Sequence, residues 1–358
     1  MIDRRNFLRG TAVAGSTLMF GGGLLSPSVF AADTTQRKTV RVGSKRAKVV
    51  DVHAHAAIPA VKDIIKGTSL DREIARNQIL GPQRLEAMDA RGIDVQVLSI
   101  NIYWWYAAER DLAAKIVRTH DEGLAEWCKA HPDRFVPLTS VALQFPDLAA
   151  EQLEYAVKKL GFRGASIGGH VNGDVPSGEK YDAFWAMAEE LRVPVFMHPG
   201  GARNVTREKA WEGRGDLANI MGDPLETAVF LTKLIFDGTL DRFPNLKIVG
   251  AHAGGYLPSY LGRTDVACEY RNNANCANKK KPSEYLKTQI MADSMTFSEE
   301  GIRHLVAEMG ASQVVFGSDM PFNWPDTIEI IVATPNLSDE QKLAILGGNL
   351  VKLLNIAA

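Results

Sequence analysis

Val49-Val50-Asp51-Val52-His53-Ala54-His55 reads as a buried strand that delivers two imidazoles where it ends. Side chains alternate along a strand, so His53 and His55 point to the same side and are spaced to grip one metal ion together. Two neutral imidazoles suit zinc or another first-row divalent ion, but such an ion needs further ligands from elsewhere in the chain. A lone HxH pair is more often two ordinary core or surface histidines. The rest of the chain has to decide.

Seven further apolar runs follow: Val95–Ile100, Phe135–Leu143, Ala165–Ile167, Val193–Met197, Lys247–Ala251, Gln289–Ala292 and Val314–Gly317. Continuous Val/Ile/Leu runs, rather than alternating ones, mark parallel strands buried on both faces. The segments between them carry helical spacing and helix stops. Ala107 to His131 places Leu112, Ile116, Leu124 and Trp127 at helical intervals before Pro132, and Asp147 to Leu160 stops at Gly161. Glu179–Leu191, Pro224–Leu240, Ser298–Met309 and Ser338–Leu354 read the same way. Strand then helix, eight times over, is the pattern of a (β/α)8 TIM-type barrel forming a single catalytic domain. A doubly wound sheet is the alternative, but no GxGxxG follows the first strand, so the dinucleotide fingerprint is missing where it belongs.

In a parallel barrel the polar residues just past the strands share one rim. His53 and His55 end the first strand, His170 follows the fourth, His198 the fifth and His252 the sixth, and Asp319 follows the eighth. Scattered core histidines have no reason to converge in this way. His53, His55 and His198 are therefore read as imidazole ligands and Asp319 as the carboxylate, whose second oxygen can also take a proton from metal-bound water. His252 sits among small residues in Ala251-His252-Ala253-Gly254-Gly255 and suits a general acid/base, because an imidazole titrates near neutrality. His170 is placed beside substrate rather than on metal. The long segments after the first and fifth strands, residues 58–81 and 199–222, are read as loops over the mouth. Arg72 and Arg76 in the first could clamp a carboxylate, and Trp211 in the second, with Tyr103-Trp104-Trp105-Tyr106, could pack a planar ring.

Composition bounds the partners. The chain has 358 residues, a formal net charge of -1 and a pI near 6.7, so nothing pulls it toward nucleic acid or an acidic membrane surface, and a small molecule is the expected partner. Residues 1–32 read as an export signal: Arg4-Arg5 in Asp3–Leu8 resembles a twin-arginine motif, an apolar Gly/Ala-rich run follows to Leu25, and Val29-Phe30-Ala31 offers a cleavage site. Residues 33–48 are expected to be a connector and 49–358 the barrel. That run is short and glycine-rich for a spanning helix, so stable membrane insertion is not expected. A periplasmic location would permit a Cys268–Cys276 disulfide; with Cys128, these cysteines match no zinc motif and read as structural.

From Val49 onward the chain resembles the aminocarboxymuconate semialdehyde decarboxylase family of the amidohydrolase superfamily. The resemblance rests on DVHAH (51–55), RLEAMDARGIDVQVLS (84–99), GHVN (169–172), VFMHP (195–199), RFPNLKIVGAHAGGYLP (242–258) and GSDMPF (317–322). It implies a nonoxidative decarboxylase of a small aromatic or unsaturated carboxylic acid, with one divalent ion, zinc before manganese, on His53, His55, His198 and Asp319, and with His252 as acid/base. It also puts Trp211 and Arg76 on the substrate side and implies a homodimer. Two-metal members of the superfamily bridge their ions with a lysine at the fourth strand's end, where this chain has Gly168-Gly169-His170, so a single ion is expected. Ala253 departs from the family by replacing the first glycine of an HGGG-like run. A metal-dependent hydrolase of a lactone, ester, amide or C–C bond is the alternative in the same site.

Overall fold

In the computed structural model, which describes residues 37–357 apart from 102 and 208, a ring of eight parallel strands carries the chain. The expected export signal and the first residues of the expected connector lie outside the described residues. The strands are β1 (Val50–His55), β2 (Val95–Ser99), β3 (Phe135–Pro137), β4 (Ala165–Gly168), β5 (Val195–His198), β6 (Ile248–Gly250), β7 (Ile290–Asp293) and β8 (Val314–Val315). β1 to β3 pair in order in one parallel sheet and β4 to β8 in another. Two seams close the ring. The Thr139 N–H donates to the Gly164 carbonyl at 3.0 Å and the Ser166 N–H to Thr139 at 2.8 Å, joining β3 to β4. The Val52 N–H donates to Phe316 at 3.0 Å and the His55 N–H to Met320 at 2.7 Å, joining β1 to β8. The architecture is thus the expected (β/α)8 barrel, and closure leaves the eight-stranded ring without an open edge.

Outside the ring lie α1 (Pro82–Arg91), α2 (Arg110–Ala130), α3 (Pro146–Leu160), α4 (Asp182–Glu190), α5 (Asp223–Phe236) and α6 (Glu299–Met309). Proline opens α1 and α3, where a missing N–H costs nothing. Both stop at a left-handed glycine, Gly92 at φ 79° and Gly161 at φ 78°, as a Cβ there would be strained. Two apolar clusters result. The inner one takes Val50 and Val52, Val95 and Val97, Val136, Phe196, Val249, Met291 and Val315 from the strands and is joined by Leu350 and Leu354. The outer one packs strand residues such as Val49, Ala54 and Leu98 against the helices.

β1 departs from strict alternation. Its register against β2 shifts between Asp51 and Ala54. Val50 and Val52 belong to the inner cluster, yet the His53 ring also meets Phe196 of that cluster, at 5.3 Å, while Ala54 belongs to the outer one. One extra residue in the strand has turned His53 inward and left Asp51 facing the helical layer, which is what a bulge does.

Residues 37–48 are more than a connector. Arg41–Val42 and Lys45–Arg46 form a hairpin, Val40, Val42 and Ala47 are buried, and Arg37 and Arg46 meet the Asp94 carboxylate at 2.6 and 2.7 Å. Cys268 and Cys276 are joined in a disulfide, whereas Cys128 is free and buried. Among the described residues no helix is long and apolar enough to cross a membrane.

One packing feature yields a pH dependence. Asp121 of α2 is buried and accepts a hydrogen bond from Thr139 Oγ1 at 2.7 Å, and burial pushes its carboxyl up to about 8. The native state therefore holds a proton that the unfolded chain releases near pH 4. Stability falls as pH rises through that window, by about 1.4 kcal/mol per pH unit. Asp121→Asn is expected to flatten the slope between pH 5 and 8 in urea titrations; an unchanged slope would place the titration elsewhere.

Candidate metal centre

The strand ends assemble the site from both sides of the β1/β8 seam. His53 Nδ1 lies 2.7 Å from Asp293 Oδ2, at the end of β7, which fixes the ring and leaves Nε2 toward the barrel axis. His198 Nδ1 lies 2.8 Å from the Pro199 carbonyl, to which it donates, so its Nε2 is likewise free to act as a ligand. Asp319, with its N–H held by the His53 carbonyl at 2.8 Å, brings Oδ1 to 3.1 Å from His53 Nε2 and 2.8 Å from His55 Nε2. Trp324 Nε1 donates to its other oxygen at 2.9 Å. The His198 ring stands 4.7 Å from that of His55 and 5.2 Å from that of His252.

His252 occupies a sharp corner after β6. Its N–H and that of Ala253 donate to the two Asp293 oxygens, at 3.0 and 2.8 Å. Asp293 thereby holds His53 by the ring and His252 by the backbone. The corner is left-handed throughout, with φ of 52° at His252 and 60° at Ala253. A Cβ on Gly255 would run into the Pro224 carbonyl, so the corner also needs glycine for space. Alanine is a poor residue for that backbone. Ala253→Gly is expected to raise stability by about 0.5–1 kcal/mol in denaturant titrations, with activity preserved; destabilisation would mean that the Ala253 methyl packs usefully.

Electrostatics favour a cation here. Burial works against charge on His53, but Asp319 and Asp293 on either side outweigh it and lift the imidazole to about 10. Burial, reinforced by that neighbouring charge, pushes His252 down to about 4. Burial alone would raise Asp319, yet the His53 and His55 rings hold it far below the usual carboxylate range. The donor set fits a divalent ion. His53, His198, His252 and Asp319 bring their ligating atoms within 4.8 Å of one another. Asp319 Oδ1, at 3.1 and 2.8 Å from the two imidazole nitrogens, lies a little closer to them than the ~3.4 Å edge of a tetrahedron of ligands ~2.1 Å from a common centre. Among the described residues His55 Nδ1 and His252 Nδ1 are buried with no hydrogen-bond partner and His53 Nε2 meets the Asp319 carboxylate, which leaves ring nitrogens available to a cation. This compact group has His252 where the sequence reading has His55; both rings stand at the centre.

Above these groups opens a cavity of about 830 Å³. Trp104, Tyr106, Phe322 and Trp324 give it aromatic walls, and Arg72 and Arg203 supply cationic groups. His170 lines it as expected, with Nδ1 accepting the Gly173 N–H at 3.0 Å. Two expected substrate residues do not line it. Arg76 is exposed in a short turn at 76–78, and Arg72 instead faces the cavity, its guanidinium lying over Trp105 at 4.3 Å and Tyr103 at 4.8 Å. Trp211 packs beside Gly222, while Trp104 and Trp324 line the cavity. Among the described residues no lysine lines the cavity.

Three acidic residues went unread in the sequence. Asp293 stands one residue beyond the seventh apolar run, the same position that singled out the histidines, and the strand-end rule finds it once applied there. Asp223 and Glu226, at the start of α5, also line the cavity; Glu226 Oε2 accepts the Gly200 and Ala202 N–H groups at 3.0 and 2.7 Å and so shapes the fifth loop. Burial and the neighbouring Glu226 push Asp223 up to about 7. Their segment reads as an ordinary helix start, with nothing to mark it.

Comparison with known proteins places this arrangement. A family model described as amidohydrolase matches residues 50–356. A gamma-resorcylate decarboxylase of Rhodococcus jostii is 32% identical over 76% of this chain and 88% of its own. A 2-amino-3-carboxymuconate-6-semialdehyde decarboxylase of Dictyostelium discoideum is 29% identical over 80% of this chain and 79% of its own. Among solved structures, a dihydroxybenzoic acid decarboxylase from a Polaromonas species, with bound manganese and the inhibitor 2-nitroresorcinol, superposes with a TM-score of 0.74 at 26% identity, covering 87% of this chain and 98% of that one.

Proposed function

The chain belongs to the amidohydrolase family, and we propose from its site that it is a one-ion, nonoxidative decarboxylase of a small aromatic carboxylic acid. The observation that carries this reading is the group of imidazoles and Asp319, ligating atoms within 4.8 Å, at the base of an aromatic-walled cavity. The named relatives are decarboxylases of carboxylated dihydroxybenzenes and of a muconic acid derivative, and those substrates suit the same walls.

His53, His55, His198 and Asp319 would hold a divalent ion. Zinc suits three imidazoles and one carboxylate, and manganese, bound in the Polaromonas relative, is the alternative. When bound, the ion supplies a Lewis acid that orients the substrate oxygens and draws electron density from the ring. The chain does the rest. Trp104 and Phe322 hold the ring flat, and Arg72 faces its carboxylate or a ring substituent. His252, uncharged near neutral pH, relays a proton taken up from water to the carbon that bears the carboxylate, and the C–C bond electrons return to the ring as CO2 leaves.

Export to the periplasm fits the twin-arginine-like segment and finds support in the Cys268–Cys276 disulfide, since such bonds persist in oxidising compartments. A homodimer fits the exposed Tyr260 and Tyr270. Product analysis tests the activity. CO2 release with formation of the decarboxylated arene from ortho-hydroxybenzoates is expected; turnover of lactones or esters with no CO2 from any carboxylated arene would establish the hydrolase alternative instead.

A further inference from the structure

The HxH pair ends a strand that breaks step just before it, and one buried carboxylate sits at the break. Asp51 is fully buried, as is Gln96, and Arg84 is nearly so. Asp51 Oδ1 accepts the N–H groups of His53 and Ser318, each at 3.0 Å, and Oδ2 accepts Ser318 Oγ at 2.5 Å and Gln96 Nε2 at 2.9 Å. Gln96 Oε1 in turn accepts Arg84 Nη1 at 3.1 Å, while Arg84 Nη2 donates to the His55 carbonyl at 2.7 Å. The chain of contacts starts on one ligand-bearing residue and ends on another.

Each contact answers a local need. The register shift between Asp51 and Ala54 leaves the His53 N–H off the β1/β2 ladder, and Asp51 supplies the missing acceptor two residues back. Ser318 immediately precedes Asp319, so the same carboxylate ties β1 to the turn that presents the opposing ligand. A buried anion costs several kcal/mol unless well hydrogen-bonded, and this one is fully satisfied, with its countercharge Arg84 reached through the Gln96 amide.

We infer that Asp51 is the positioning residue that holds the β1 bulge and thereby aims His53 and Asp319 at one ion. Resting on the metal reading above, this assigns Asp51, Gln96 and Arg84 a place behind the barrel wall, out of reach of substrate. An asparagine at 51 keeps the shape but turns an amide N–H₂ toward N–H and O–H donors, so the bulge should relax.

The test is calorimetric titration of Mn²⁺ into the metal-stripped full chain. Asp51→Asn is expected to bind Mn²⁺ about 10- to 100-fold more weakly than wild type, the range for groups that support metal ligands. A folded Asp51→Asn chain with wild-type affinity would overturn the inference. Should Asp51→Asn not fold, Ser318→Ala decides: weaker Mn²⁺ binding by a normally folded chain supports the inference, and unchanged binding overturns it. Wild type that binds no divalent ion at all would overturn the metal reading itself, a separate outcome.

Discussion

His252→Asn is expected to keep its metal and to lose about 10²–10⁴-fold in kcat, the range contributed by a positioned general acid or base. The substitution tests a real ambiguity, because His252 belongs to the compact group of possible ligands with His53, His198 and Asp319. Its corner after β6 argues for proton transfer. The backbone there is anchored on Asp293, which also braces the His53 ring, so His252 is held close to the centre through its backbone, whereas the His53 and His198 rings are themselves bonded at Nδ1. Asparagine also tolerates the left-handed backbone at φ 52°, so the variant is expected to fold and lost activity reads on the chemistry. Metal content measured on the same preparation separates the roles: retained ion with lost turnover makes His252 the proton carrier, and lost ion makes it a ligand.

His198→Ala is expected to lose the ion, and with it turnover on the order of 10³-fold or more, since a bound ion supplies several kcal/mol of transition-state stabilisation. His198 is the cleaner ligand to remove. His53 is braced by Asp293 and His55 by Asp319, so truncating either leaves a buried carboxylate short of a partner, whereas the His198 ring, among the described residues, bonds to the adjacent Pro199 carbonyl alone. The ion-free variant should therefore fold normally. Metal bound at wild-type stoichiometry by His198→Ala would remove this residue from the ligand set.

Much of the fold was legible because a barrel strand buried on both faces is a continuous apolar run, and the eight runs fall on the eight observed strands. The rim histidines were legible for the same reason: once strands are counted, their ends are known. The β1 bulge was hidden for another reason: Asp51, His53 and His55 alternate strictly with Val50, Val52 and Ala54, so the stretch reads as an unbroken strand with Asp51 on the face of the histidines, and nothing in it marks where the strand breaks step. The hairpin at 41–46 was missed because its sequence is polar and short, and its hold on the barrel comes from Val40, Val42 and ion pairs to Asp94. In the loops no periodicity fixes the position of a side chain. Arg72 and Arg76 read alike in sequence, and only the path of the 58–81 segment turns the first to the cavity and the second to solvent. The same holds for Trp211, which is not among the described residues that line the cavity, whereas Trp104 and Trp324 are.

The most direct measurement is CO2 release from an ortho-hydroxybenzoate by the metal-stripped full chain as Mn²⁺ or Zn²⁺ is added back. Release that is absent at first, rises in proportion to bound metal and levels off at one ion per chain is the expected result. Full CO2 release from the stripped protein, a plateau only at two ions, or no release at any loading would contradict a one-ion decarboxylase.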